Sequence, residues 1–289
     1  MTLRHFQIFL AVCDTMNMTA AARQLYMSQS AVSQAIAELE RYYDTRLFER
    51  LSKKLYRTQA GERLLSYARH MVAMNNDISK QMKSLTESAT IRIGASVTVC
   101  SYVLPKLVSA FQKEFFQAAV EVVEDNTEQI EGMILTDKVD FGLVEGDILS
   151  SDMVITPFMD DELVLICGKG HPFASLPFVE PQQLEKEKFI IREKGSGTRN
   201  TFENVLKANG LSWHLSWTCN NAETIKIAVA EGLGVSVISR LTVQNEVASG
   251  LLHIVPIQGI RFLRSFKIAY HKNKFLSQPL RQWISLLNR

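Results

Sequence analysis

Along the first sixty residues the apolar positions keep helical spacing, break at two short polar turns, and then give way to a basic hairpin. Leu3, Phe6, Leu10 and Cys13 fall on one stripe of a first helix, the three-and-four recurrence of an amphipathic segment. Residues 19–25 predict a short second helix capped by Thr19, and Ser28 predicts the cap of a third, because a side-chain oxygen there satisfies an orphan amide of the first turn. Only Tyr26 and Met27 separate the two helices, so they must pack at a steep angle. Val32, Ala35, Ile36, Leu39 and Tyr43 form the core side of the third helix, whereas Ser30, Ser33, Gln34, Ala37 and Arg41, with Gln29 at the tip, form the opposite face. Residues 47–50 and 54–57 then predict two short strands joined by residues 51–53.

A face of small and hydrogen-bonding side chains fits a DNA major groove, where Gln and Ser reach base edges or phosphates. A solvated helix face has the same composition, so the neighbouring charge decides. Arg46, Arg50, Lys53, Lys54 and Arg57 arrive within a dozen residues, which suits a wing able to reach a minor groove; an ordinary basic surface hairpin is the alternative. The candidate DNA contacts are Thr19, Ser28, Gln29, Ser30, Ser33, Gln34, Arg50, Lys53, Lys54 and Arg57. At these residues the segment resembles the N-terminal winged helix-turn-helix of the LysR-type transcriptional regulators. The resemblance is carried by Phe9, Val12, Ala21-Ala22, Leu25, residues 28–33, Ile36, Leu39-Glu40, Leu47-Phe48, Arg50, Thr58 and Ala60-Gly61. It departs at Tyr43-Asp44, where the family usually has Leu-Gly, and at Gln59, where a proline or acid is common.

From Gln59 to about Glu87 there is no proline, and apolar residues alternate in steps of four and three. Leu64, Met71, Ile78 and Leu85 take d positions, with Ala68, Asn75 and Met82 at a positions. Such a helix, ~40 Å long at 1.5 Å per residue, is too one-sided to stand alone. Packing against the head is one solution. Asn75 in an apolar seam favours the other, a homodimer whose register the paired asparagines fix. The resemblance implies the same, a linker helix that pairs protomers, with Leu64, Met71, Asn75, Ile78, Met82 and Leu85 as the dimer seam.

After Ser88 short strands and helices alternate. Strands are expected at 91–93, 119–123, 140–144 and 162–167, with helices at 105–115 and 127–135; a second set follows over residues 189–239. Alternation of this kind implies α/β layers with mostly parallel sheet, here in two lobes. The segments IRIGASVTV, LPKLVSAFQKEF, VDFGLVEG, His171-Pro172 and EGLGVSVIS resemble the LysR-type effector domain. The resemblance implies a return of the chain to the first lobe through residues 266–289. The expected fold is therefore α/β: a winged helix-turn-helix over residues 1–58, a linker helix over 59–88, and a two-lobed, periplasmic-binding-protein-like effector domain over 89–289. Its first lobe spans about 89–161 and 266–289, its second about 162–265.

Ligands of such sheets sit off the carboxyl ends of strands, near helix N-termini. Ser96, Val97 and Thr98 follow the first strand, and Gly195, Ser196, Gly197, Thr198 and Arg199 follow another and open a helix, a plausible anion cradle. A flexible turn with an N-cap is the bland alternative for the glycine-rich loop. The resemblance adds Thr127 and Asn220, and Glu145 favours a cationic or hydroxyl-bearing group. His171 and His214 have no ligand-spaced neighbours and are expected to be structural.

Charge sharpens this picture. Residues 1–88 hold 12 Lys and Arg against 8 Asp and Glu, whereas the whole chain is only +2; a basic module is tethered to a near-neutral one. The four cysteines, Cys13, Cys100, Cys167 and Cys219, form no zinc pattern; Cys13 is expected in the core, and a peroxide-sensing pair among the others is the alternative. Neither a signal peptide nor a membrane-length apolar run is present, so a cytoplasmic location is expected, with no membrane partner. No nucleophile–base pair, phosphate-binding loop or metal-ligand spacing is found, so neither catalysis nor a cofactor is expected. The leading expectation is a regulator that binds double-stranded promoter DNA as a homodimer or dimer of dimers, answers to a small, anionic effector, and contacts RNA polymerase. The alternative is a two-lobed small-molecule-binding protein or enzyme with a generically basic N-terminal module.

Overall fold

The computed structural model describes residues 1–51, 54–83, 90–115 and 119–287, with the side chains of 80–83 left out. Lys53 and Leu85 lie outside the described residues, as does the side chain of Met82. The chain forms two units, one of which contains the first 88 residues and the other most of the remainder.

In the head, α1 (Leu3–Thr15), α2 (Met18–Gln24) and α3 (Gln29–Tyr42) precede a hairpin of β1 (Phe48–Leu51) and β2 (Lys54–Arg57), and α4 (Gln59–Lys83) follows. The stripes expected from sequence meet in one core: Phe6, Phe9, Val12 and Cys13 of α1 pack with Val32, Ala35, Ile36 and Leu39 of α3 and with Leu47 and Phe48. Tyr43, expected among them, is partly exposed and meets Tyr42 edge-on. The cap of α2 is a correction. Asn17, not Thr19, caps it, its Oδ1 accepting from the Thr19 and Ala20 amides at 2.9 and 3.0 Å; Thr19 sits one residue inside the helix, where its side chain cannot reach a first-turn amide. Ser28 caps α3 as expected, accepting from the Ala31 amide. Asp44 takes the left-handed conformation (φ 48°), which its short side chain tolerates, so the turn usually made with glycine persists. The seam of α4 divides: Leu64 and Ala68 pack into the head core, whereas Met71, Asn75 and Ile78 are exposed.

The second unit opens with β3 (Thr90–Ser96), α5 (Val97–Tyr102), α6 (Leu104–Glu114), β4 (Ala119–Asp125), α7 (Thr127–Leu135) and β5 (Phe141–Glu145). β6 (Met153–Gly168), β7 (Lys188–Arg192), α8 (Gly197–Ala208), β8 (His214–Cys219), α9 (Ala222–Ala230) and β9 (Ser236–Ser239) follow. α10 (Gln244–Ala248), β10 (Leu252–Ile254), β11 (Phe262–His271) and α11 (Gln278–Leu287) complete it. The sheet is mixed rather than mostly parallel. β3 pairs in parallel with β4 and β5, and β7 with β8, but β11 runs antiparallel to β5 and β6, and β6 antiparallel to β9 and β10. The long strands β6 and β11 cause the difference: they cross between the lobes, and the chain returns through β11 to the sheet of β5.

Alternation along β3 sends Ile91, Ile93 and Ala95 to a core shared with Phe111, Phe141 and Trp283. The other face holds Gly94 and Gly142, in register across the two strands. A Cβ on either would come within 3 Å of Ile130 on α7. The glycine pair thus lets α7 lie close on the sheet, which sets Thr127 at the end of β5. Asn17→Ala should destabilise the head by about 1 kcal/mol, as a lost N-cap does, and Thr19→Ala by less than ~0.5 kcal/mol. Hydrogen exchange over residues 17–25 checks both; the reverse order would restore Thr19 as the cap.

Candidate nucleic-acid interface and effector cleft

The outer face of α3 carries Gln29, Ser30, Gln34, Ala37 and Arg41, all exposed, with Ser33 half-buried. Ser28 Oγ bonds to Ser30 Oγ at 3.0 Å, Gln29 Nε2 donates to Ser33 Oγ at 2.7 Å, and Gln34 Nε2 donates to Glu38 Oε1 at 3.0 Å. The His5 ring hydrogen-bonds to Glu38 at 2.8 Å and holds that carboxyl below its usual range. These bonds fix side chains that would otherwise be free rotors. Arg50 and Lys54 project from the wing, exposed. Arg57 does not: its Nε donates to Glu62 Oε1 at 2.6 Å and its Nη1 to the Cys13 carbonyl at 3.0 Å. It ties the base of the wing to α1 and α4, and its guanidinium is committed there rather than to a phosphate.

In the second unit the expected ligand residues converge only in part. Ser96, Thr98, Thr127, Glu145, Ser196, Gly197 and Thr198 are buried, and Val97 and Gly195 are half-buried. Thr127 Oγ donates to the Glu145 carbonyl at 2.8 Å, and the Glu128 amide donates to the Gly195 carbonyl at 3.2 Å. Helix α8 starts against the end of β5 so closely that a Cβ on Gly197 would lie 2.0 Å from the Glu145 carbonyl oxygen. The glycine-rich loop is therefore packed, not free.

Arg199 turns away from the expected role. Its guanidinium donates to Glu203 and to the Arg192 carbonyl and lies over the Trp213 ring, 5.6 Å from the centroid. That pairing stabilises the second lobe, since an i,i+4 carboxylate and an aromatic face satisfy a guanidinium without ligand. Asn220 is exposed and accepts from Asn221.

The cation beside the cleft is Arg264, which sequence reasoning missed. Its Nε donates to Asp161 Oδ2 at 2.7 Å, its Nη1 to Thr198 Oγ at 3.0 Å, and its Nη2 lies 3.0 Å from Glu145 Oε2. Ser239 Oγ donates to Asp161 Oδ1 at 2.7 Å, and Thr198 Oγ donates to Glu145 Oε1 at 3.2 Å. Two carboxylates thus share one buried guanidinium, together with hydroxyls from α8 and from the end of β9. The signal was present in the pattern: Arg264 falls in step with Phe262, Phe266 and Ile268, and Asp161 with Leu163 and Leu165, opposite each other in the β6–β11 register.

All four cysteines are free. Burial pushes the Cys13 and Cys100 thiols up to about 12 and Cys167 to about 11, and raises Cys219. A thiol with a raised pKa stays protonated and unreactive at neutral pH. Among the described residues no cluster of three or more His, Cys, Asp or Glu could hold a metal ion, and no helix is long and apolar enough to cross a membrane.

Residues 3–62 match the family model described as a bacterial regulatory helix-turn-helix protein of the lysR family, and residues 85–289 match that of the LysR substrate binding domain. The chain is 32% identical over 283 residues to the uncharacterized HTH-type transcriptional regulator YeiE of Escherichia coli strain K12, covering 98% of this chain and 96% of that one. It is similar to the CcmR regulatory domain of Synechocystis PCC6803, solved in complex with 2-PG, with 29% identity and a TM-score of 0.65 over 70% of this chain and 96% of that one. A full-length OxyR variant from Pseudomonas aeruginosa shares the fold, with a TM-score of 0.67 at 20% identity over 100% and 93% of the two chains.

With iodoacetamide at pH 8, native protein should remain unmodified at Cys13 and Cys167 over a time in which a denatured sample alkylates fully; mass spectrometry reads the result. Fast native labelling would mean that burial does not hold these thiols protonated.

Proposed function

Because the chain belongs to the LysR family of transcriptional regulators, we propose that α3 reads a promoter major groove while the wing holds the flanking backbone. LysR-type regulators bind promoter DNA and small-molecule effectors and oligomerise, and the chain's relatives are regulators, not enzymes. The observation that carries the residue-level reading is the exposed, polar outer face of α3, flanked by Arg50 and Lys54. Gln29, Ser30, Ser33 and Gln34 contact bases or the adjacent sugar-phosphate, Ser28 and Thr19 lie nearest the phosphates, and Arg50, Lys54 and Lys53 neutralise phosphate charge. Arg57 acts from behind, by fixing the wing.

Met71, Asn75 and Ile78 of α4 form the seam with a second copy, which leaves Leu64 and Ala68 to the head. The effector domain supports further pairing, since the edge strands β4 and β8 turn Val122, Val123, Leu215 and Trp217 toward solvent. Paired heads read half-sites about one helical turn, ~34 Å, apart. Their target, chromosomal DNA, is cytoplasmic. The effector enters between the lobes, is held by Ser96, Thr98, Thr127, Glu145 and Thr198, and carries an acidic group. Arg264 and the first turn of α8 support that charge. Binding shifts the arrangement of the paired heads, and through it the contact with RNA polymerase, by as much as the effector prefers one arrangement over the other.

Gln29→Ala should lose about 1–3 kcal/mol at particular base pairs and little at others, measured by binding to a panel of single-substitution sites. Equal loss at every site would reduce Gln29 to a phosphate contact. Lys54→Ala should weaken all sequences alike and flatten the log–log salt slope by about 1. Ile78→Asp should lower dimerisation and DNA affinity together in sedimentation and gel-shift titrations, and a dimer that survives it would move the seam elsewhere.

A further inference from the structure

The groups gathered at the start of α8 are those that hold an oxyanion: the first-turn amides of a 12-residue helix, the Thr198 hydroxyl and a guanidinium. In this chain the hydroxyl and the guanidinium already face a carboxylate. Glu145 is 1% exposed, with Oε1 on Thr198 Oγ at 3.2 Å and Oε2 3.0 Å from Arg264 Nη2. The second contact attracts as charge but is not aligned as a hydrogen bond, so Glu145 Oε2 and Arg264 Nη2 each lack a directed partner.

Two hydroxyls, one at the end of β3 and one at the N-cap of α8, share that condition. Ser96 Oγ and Ser196 Oγ are buried and have no hydrogen-bond partner in the protein. Ser96 ends β3, one residue past the pairing of Ala95 with Leu143. Ser196 is the N-cap of α8 yet makes no capping bond, and it precedes the glycine packed on the Glu145 carbonyl. Buried polar atoms without partners are few in folded proteins, and two of them are the facing ends of the Glu145–Arg264 contact.

We propose that Glu145 is a tethered occupant of an oxyanion seat, and that the acidic group of the effector takes the seat by displacing the Glu145 carboxylate from Thr198 and Arg264. The proposal rests on reading the inter-lobe cleft as the effector site. Displacement follows from charge. An anion added beside Glu145 and Asp161 would meet two negative groups around a single guanidinium, whereas an anion that replaces Glu145 inherits its partners. Arg264 stays paired throughout, because its Nε donates to Asp161 Oδ2 at 2.7 Å and Asp161 is itself held by Ser239. The ligand class is a compound bearing a carboxylate, phosphate or similar oxyanion that reaches both Thr198 Oγ and Arg264 Nη2, the two groups that Glu145 occupies.

The test uses full-length wild type, Glu145→Ala, Glu145→Gln and the double variant Glu145→Ala with Arg264→Gln. Thermal unfolding is followed against acetate and inorganic phosphate, with chloride at matched ionic strength as the control. Acetate or phosphate should raise the Tm of Glu145→Ala saturably, with half-saturation at least tenfold lower than in wild type, and the double variant should lose the effect. Glu145→Gln keeps the side-chain shape and carries the test if the alanine variant does not fold; it too should bind the oxyanion more tightly than wild type. Equal stabilisation of all four proteins, or none beyond chloride, would overturn the proposal. DNA affinity of the anion-loaded Glu145→Ala protein separates the two layers. Saturable anion binding that leaves DNA affinity unchanged would keep the seat and remove the cleft as the effector site.

Discussion

A guanidinium cannot leave water without acceptors, and Arg264 imposes that requirement where the two lobes of the effector domain meet. It sits on β11 among Phe262, Phe266 and Ile268, facing Asp161 on β6, and both residues are buried. Each acceptor it recruits belongs to a different element. Asp161 lies on the crossing strand and draws in Ser239 from the end of β9; Glu145 ends β5; Thr198 opens α8. One cation on β11 therefore ties the crossing strand β6, the ends of β5 and β9, and the start of α8 to each other. The remaining local geometry accommodates it: Gly197 lets α8 reach β5, and the Gly94–Gly142 pair lets α7 reach the same strand end.

The head is organised by different physics. Its core cluster is apolar, and its polar bonds are helix caps, side-chain pairs along α3 and a few ties between elements, such as His5 to Glu38 and Arg57 to the Cys13 carbonyl. Those pairs bear on recognition. Gln29 spends one amide hydrogen on Ser33 and keeps its other hydrogen and its oxygen, enough to meet an adenine edge without breaking the internal bond. Gln34 is in the same position: it gives one amide hydrogen to Glu38 and keeps the other with its oxygen.

What could be read from the sequence follows the range of the interactions concerned. Helix stripes, the Ser28 cap, the basic hairpin and the α/β alternation depend on residues within a few positions of each other, and each was legible. Thr19 was misread because two polar residues two positions apart compete for one cap, and only the helix start decides between them. Arg57 was read as part of the basic hairpin and Arg199 as part of the glycine-rich cradle. Glu62 and Glu203 lie within five positions of them, whereas the Cys13 carbonyl and Trp213, 44 and 14 positions away, have no local signal. Arg264 was overlooked for the opposite reason: its apolar neighbours made its strand read as ordinary core. A charged residue in step with buried phenylalanines was itself the signal, and the equally misplaced Asp161 was its answer.

The choice of an ionic network at this position has a mechanical consequence. Replacing a buried ion pair by well-packed apolar residues is often neutral or stabilising, so stability alone does not account for Arg264, Asp161 and Glu145. Apolar packing tolerates small displacements with gradual loss, whereas hydrogen-bonded charges are satisfied in a few discrete arrangements and poorly between them. A set of partners that spans β5, β6, β9, β11 and α8 therefore favours distinct states over a continuum. Coupling between an effector site and DNA needs only about 1–3 kcal/mol of difference between such states. Exchanging a single charge-assisted hydrogen bond at Glu145 is of that order, ~1.5–3 kcal/mol. The network can thus act as a two-position element without any large store of energy, and its sensitivity is set by how well each arrangement satisfies the one buried cation.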